Sequence, residues 1–148
     1  MTYEQSPIEA LAQGNATGAV AVVAIMAAIA IPAYQDYTIR VQASEGAILA
    51  EGSKTAVAEY YANTGTMPAD NAQAGVAAPS SINGNYVSSV QIDNGRIVVS
   101  YGNQANPRLT GGALVFKPEP QGGSVRWTCD SQAGSTIPAK YRPTRCRP

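Results

Sequence analysis

Apolar and polar residues divide this chain into stretches with different periods. From residue 19 to residue 31 every side chain is apolar, and no charge occurs from Ala10 to Gln35. A helix apolar on all sides belongs in a membrane or deep inside an assembly. Thirteen such residues are fewer than the roughly 20 of a membrane span, although extension over residues 16–34 nearly reaches that length. Beyond them the pattern becomes amphipathic. Tyr34, Thr38, Val41, Ile48, Val57 and Tyr60 or Tyr61 keep to one broad side of a helix, while Asp36, Arg40, Glu45, Glu51 and Lys54 supply polar positions. Pro32 is expected to kink this helix rather than end it, because residues 33–62 are good helix formers without a further proline. Asp36 and Arg40 add a favourable i,i+4 pair. One helix over residues 16–62 is about 70 Å long at 1.5 Å per residue. No globule of 148 residues is that long, so the first half of the helix is expected to project and to need a partner.

Gly65 is placed as the helix's C-terminal cap and Pro68 as its stop. Residues 66–85 follow as a long polar connection that carries short elements or a binding surface. The rest reads as strands. Tyr86 to Ile92 alternates, Asp93-Asn94-Gly95 turns, and Arg96 to Tyr101 returns as a hairpin. Ala113 to Pro118, the turn Gln121-Gly122-Gly123, and Ser124 to Cys129 form a second hairpin. Four antiparallel strands with one apolar face need a cover, and residues 33–62 are the available helix. The expected fold is therefore α+β, a long N-terminal helix kinked at Pro32 and packed on a four-stranded antiparallel sheet.

Composition narrows the function classes. The length, 148 residues and 15.3 kDa, suits one domain with an appendage. Only 14% of residues are charged, against about 25% in soluble domains. Histidine is absent, which removes the commonest general base and metal ligand. The net charge of zero hides an asymmetry: residues 1–93 hold eight acids and two bases, and residues 94–148 hold eight bases and two acids. The halves neutralise each other within the fold or between copies, or the basic half meets an acidic partner. Cys129 and Cys146 are the only cysteines. They read most economically as a structural disulfide, worth about 3 kcal/mol and placing the protein in an oxidising compartment; two buried thiols in a reducing one are the other reading. The flank before the apolar run, Met1 to Glu9, has two acids and no Lys or Arg, unlike a secretory signal's basic region. Its topology stays open.

Catalytic constellations are weak. Glu45, Glu51 and Glu59 have no His or Cys partner and fit a solvated helix face. Gly111-Gly112 and Gly122-Gly123 lack the following helix start of a phosphate loop and read as turns. Tyr60, Tyr61 and Trp127 read as packing residues. No catalytic residue, metal site or cofactor is expected.

The run from Ala27 through Ile31-Pro32-Ala33-Tyr34 to Arg40, the strand Tyr86-Val87-Ser88-Ser89-Val90, and the ending Trp127-Thr128-Cys129 with Ile137-Pro138-Ala139-Lys140-Tyr141-Arg142-Pro143-Thr144-Arg145-Cys146 together resemble a type IV pilin of the type IVa class. The resemblance covers residues 19–148. It implies a curved helix on a four-stranded sheet, a C-terminal disulfide loop near the exposed surface, and self-polymerisation into a pilus. It further implies anchoring in the bacterial inner membrane before assembly, pilus assembly machinery as a partner, and adhesion, twitching motility or DNA uptake as roles. The expected division is residues 1–15 as an atypical segment, 16–32 as the projecting apolar half, and 33–148 as the globular head. One end departs from the family pattern. The family places a glutamate where Asn15 stands, and its basic leader is not matched before Gly14. Residues 1–18 are read as belonging to a divergent accessory pilin, a non-polymerising relative, or an engineered or recombined start. The basic tail Lys140, Tyr141, Arg142, Arg145 and Arg147, held by the loop of residues 129–146, is the candidate ligand surface for DNA phosphates or acidic host glycans. The alternative function is thus a minor, non-polymerising pilin-like protein binding DNA or a receptor.

Overall fold

The computed structural model describes residues 17–147. The readings made of residues 1–15, including Gly14 and Asn15, lie outside the described residues. The chain divides into two compact units, residues 1–37 and 38–148.

Helix α1 runs from Thr17 to Thr64 and continues through Pro32. Pro32 has no N–H, so the carbonyl of Ala28, four residues earlier, loses its usual intrahelical donor. Within the first unit, residues 18–35 and Tyr37 are exposed. Ile25 is 60% and Ile29 70% accessible, so among the described residues nothing buries this apolar surface. By length and composition α1 qualifies for a membrane span, with mean hydropathy 1.9 in its apolar window.

In the second unit α1 acquires a buried face: Ile39, Ala43, Gly46, Ala50, Ser53 and Val57. These positions recur every three or four residues, the spacing of one helix side. They correct the expected face. Val57 is buried as read, but Val41 and Ile48 are 50% and 70% exposed. The physical reason is proximity. The Tyr101 hydroxyl donates to the Ala43 carbonyl at 2.6 Å, and a Cβ added at Gly46 would lie 2.8 Å from both Tyr101 Cζ and Val99 Cγ1. A helix that approaches a sheet so closely needs small residues at the contact, and the larger aliphatics turn away.

The sheet has the order β1-β2-β3-β4, antiparallel throughout, with β1 Val87–Asp93, β2 Arg96–Tyr101, β3 Ala113–Gln121 and β4 Ser124–Thr128. Both hairpins turn on two residues with positive φ, Asn94 (49°) with Gly95 (86°) and Gly122 (56°) with Gly123 (99°). That backbone matches strand twist and suits Asn and Gly. Val87, Val90, Ile92, Ile97, Val99, Tyr101, Leu114 and Phe116 join the core, each large aliphatic contributing about 1.5–3 kcal/mol. Strand β3 runs past its two prolines. It pairs with β2 through Ala113–Phe116 and with β4 through Lys117–Gln121, so Pro118 and Pro120 lie where β2 no longer pairs. A proline tolerates such an edge because no ladder bond is asked of its missing N–H.

Gly65 caps α1 as expected, with φ 75° and its N–H donating to the Tyr61 carbonyl at 2.8 Å. The connection to β1 carries a one-turn helix α2, Asn71–Ala74, started by Asp70 and stopped by Gly75. Asn71 is 3% exposed. Its amide donates to the Val90 carbonyl at 3.0 Å and its oxygen accepts from the Ile92 N–H at 2.6 Å. Those are the bonds that a neighbouring strand would make, so one side chain satisfies this part of the edge of β1.

Candidate functional site

The C-terminal segment is built around Cys129 and Cys146, which form the expected disulfide, with Cα atoms 4.7 Å apart and both residues buried. The segment between them first continues the sheet. The Thr136 N–H donates to the Ala113 carbonyl at 2.9 Å, and the Val115 N–H donates to Ser135 Oγ at 2.9 Å. Ser135, 5% exposed, donates its own hydroxyl to the Cys129 carbonyl at 2.8 Å. A buried hydroxyl with partners on β3 and on the disulfide thus ties the loop to the sheet.

The five basic-tail residues do not share one surface. Lys140, Arg145 and Arg147 are exposed, whereas Tyr141 and Arg142 are 1% and 4% accessible. Tyr141 lies under the Lys140 ammonium, 5.0 Å from its ring centre, and its hydroxyl accepts from Arg108 Nη1 at 2.8 Å. The Arg142 guanidinium points into the loop. It donates to the carbonyls of Ile137, Ser135 and Cys146 and to Ser131 Oγ, at 2.8, 3.1, 3.3 and 3.0 Å. Arg147 Nε donates to the Arg142 carbonyl at 3.1 Å. Packing and carbonyl acceptors draw Tyr141 and Arg142 inward, so of the five residues expected to form one surface only Lys140, Arg145 and Arg147 are exposed.

Sequence reasoning missed two cations at this loop. Arg40 on α1 donates through Nε to the Lys140 carbonyl at 2.9 Å, and Arg108 reaches Tyr141 from the β2–β3 connection. Separations of 100 and 33 residues leave no local signal for either. Glu45 also departs from its expected solvated role. It is half-buried, and its carboxylate accepts from the Tyr86 N–H at 3.2 Å, fastening α1 to the start of β1. Glu51 does lie at the surface, paired with Lys54 at 3.2 Å. The Lys54 ammonium sits 4.0 Å over the Phe116 ring. Among the described residues no group of three or more Cys, Asp or Glu side chains is placed to hold a metal ion.

Comparison with known proteins decides the family. Residues 40–147 match the pilin model, described as a bacterial filament protein. The chain belongs to the pilin family. Among its relatives, the type IV major pilin protein PilE of Neisseria gonorrhoeae is 49% identical over 111 residues, which are 74% of this pilin and 66% of that protein. A second type IV major pilin of that organism, PilE1, is 41% identical over 143 residues, covering 86% and 87% of the two chains. The fimbrial protein EcpC of Eikenella corrodens is 44% identical over 133 residues, covering 86% and 83%. The long N-terminal helix, the four-stranded antiparallel sheet and the Cys129–Cys146 loop are the type IV pilin fold.

Proposed function

We propose that this pilin is the structural subunit of a type IV pilus, joined to copies of itself through the apolar part of α1. The observation that carries this reading is the exposure of residues 18–35, an apolar helix surface that no other described residue buries. In the inner membrane, before assembly, lipid covers residues 16–32. In the filament, close contacts among Ala, Val and Ile side chains of neighbouring copies replace it. Residues 33–148 form the outer head. Transfer from membrane to filament calls for assembly machinery, since exposed apolar helices associate without order in water. The names of the relatives, major pilins and fimbrial proteins, support a polymerising subunit over the non-polymerising alternative and a structural role over an enzymatic one.

On the filament surface, Lys140, Arg145 and Arg147 are the cations that meet DNA phosphates or acidic glycans, with adhesion, twitching motility and DNA uptake as the roles this supports. Electron microscopy of expressing cells tests the subunit reading: thin surface filaments vanish when the gene is deleted, and their persistence would sink it. Filaments carrying all three of these residues as Ala test the surface. Unchanged DNA and glycan binding removes it from the proposal.

A further inference from the structure

Arg142 is a buried cation, 4% accessible, that makes no ion pair among the described residues. Its acceptors are three main-chain carbonyls, those of Ser135, Ile137 and Cys146, and one hydroxyl, that of Ser131. They come from both ends and the middle of the loop that the disulfide closes. A charge taken out of water is costly unless it is fully hydrogen-bonded, and carbonyls turned inward are costly without a donor. Each half of the arrangement therefore requires the other. Loops wrap carbonyl and hydroxyl oxygens around a metal cation in this way. Here the positive charge is tethered to the chain and presented as a planar fork that reaches four acceptors from one fixed position.

We propose that Arg142 is a built-in structural cation that holds residues 131–146 in shape independently of the Cys129–Cys146 bond. The disulfide constrains the two ends of the loop; the guanidinium organises its interior. Arg147 Nε on the Arg142 carbonyl and Ser135 Oγ on the Cys129 carbonyl connect this interior to the exposed tail and to the sheet. The shape of the loop, and with it the placement of Lys140, Arg145 and Arg147, then survives reduction of the disulfide. This inference does not rest on any ligand for the loop.

Hydrogen exchange on the full chain in detergent micelles tests it, read on peptides covering residues 130–147, with β1 and β2 as an internal control of global folding. A dithiol reductant is oxidised to its own disulfide while Cys129 and Cys146 take up two electrons and two protons as thiols. In the wild type, reduction is expected to change loop protection by less than about threefold. In Arg142→Leu with the disulfide intact, loop protection is expected to fall by more than about tenfold, the scale of losing hydrogen bonds to a charged group. Reduced wild type as exposed as oxidised Arg142→Leu would overturn the proposal, as would an Arg142→Leu loop that stays protected. Ser131→Ala removes one acceptor and leaves the core untouched, so it serves where Arg142→Leu loses protection in β1 and β2 as well. It is expected to lower loop protection by a smaller factor, and no change on reduction plus Ser131→Ala removes that acceptor's role and the proposal with it.

Discussion

The two parts of α1 differ in the opposite sense to their apolarity: the more apolar one is exposed, and the more polar one has a buried face. Between residues 18 and 37 the helix carries Val, Ile and Met on every side, and all of them are exposed. From Thr38 onward it carries fewer large apolar residues, yet it has a continuous buried face built from Ile39, Ala43, Gly46, Ala50, Ser53 and Val57. Apolarity alone thus does not bury a residue. Burial depends on what lies opposite, and the second part faces a sheet that comes close enough for Gly46 to touch Tyr101. Where the described residues supply no opposite surface, the apolar side chains stay exposed.

Substitutions in the second part separate closeness from hydrophobicity. The largest effect is expected for Gly46→Leu, whose side chain would push against Tyr101 and Val99 and break the bond from the Tyr101 hydroxyl to Ala43. A loss of about 3–4 kcal/mol follows from overpacking and one hydrogen bond, measured by urea unfolding of the head. Gly52→Leu is the contrast. Nothing lies within 4 Å of its added Cβ, and stability should stay within about 1 kcal/mol, with a gain from helix propensity. Equal costs at the two glycines would refute the close-contact explanation.

A middle-sized effect belongs to Tyr101. Burial, and then the charge of Glu45, raise its hydroxyl pKa well above the ordinary tyrosine value. Below about pH 10, the unfolded value, the hydroxyl is protonated in both states and stability is independent of its titration. Above that pH the unfolded chain releases the proton first, so stability falls as pH rises. Tyr101→Phe is expected to cost about 1 kcal/mol at neutral pH and to flatten the alkaline decline. A variant that declines as steeply as the wild type in pH-dependent unfolding would place the decline elsewhere.

The smallest effect is expected at Ile48, which is 70% exposed. Ile48→Ser should move head stability by less than about 0.5 kcal/mol, although a hydrophobic residue on an amphipathic helix would ordinarily be assigned to the core. Thermal unfolding checks it, and a loss of the size of a core deletion would reverse the assignment of faces.

Particular elements show why some of this was legible beforehand. The Asn94-Gly95 and Gly122-Gly123 turns, the Gly65 cap and the strand alternation are local in sequence, and each was readable from a few adjacent residues. The cysteine pair was legible because the chain holds only two. The extension of β3 past Pro118 was not, since an edge that lacks a partner depends on where β2 ends. Tyr141 and Arg142 read as a surface aromatic and cation because they stand in a run of cations, and charged residues are mostly exposed. Their burial comes from acceptors and neighbours that only the folded loop assembles.

The order of residues alone fixes that one helix is apolar beyond what a head of this size can bury, that two hairpins follow it, and that two cysteines are available to pair. Those properties are set by period, turn chemistry and composition, which act over short separations. It took the folded structure to show which face of α1 meets the sheet, that Asn71 closes part of the β1 edge, and that Arg142 serves the loop's interior while Arg145 and Arg147 are exposed. These depend on distances between residues far apart in the chain, where a hydrogen bond or a missing Cβ outweighs the preference of any single residue.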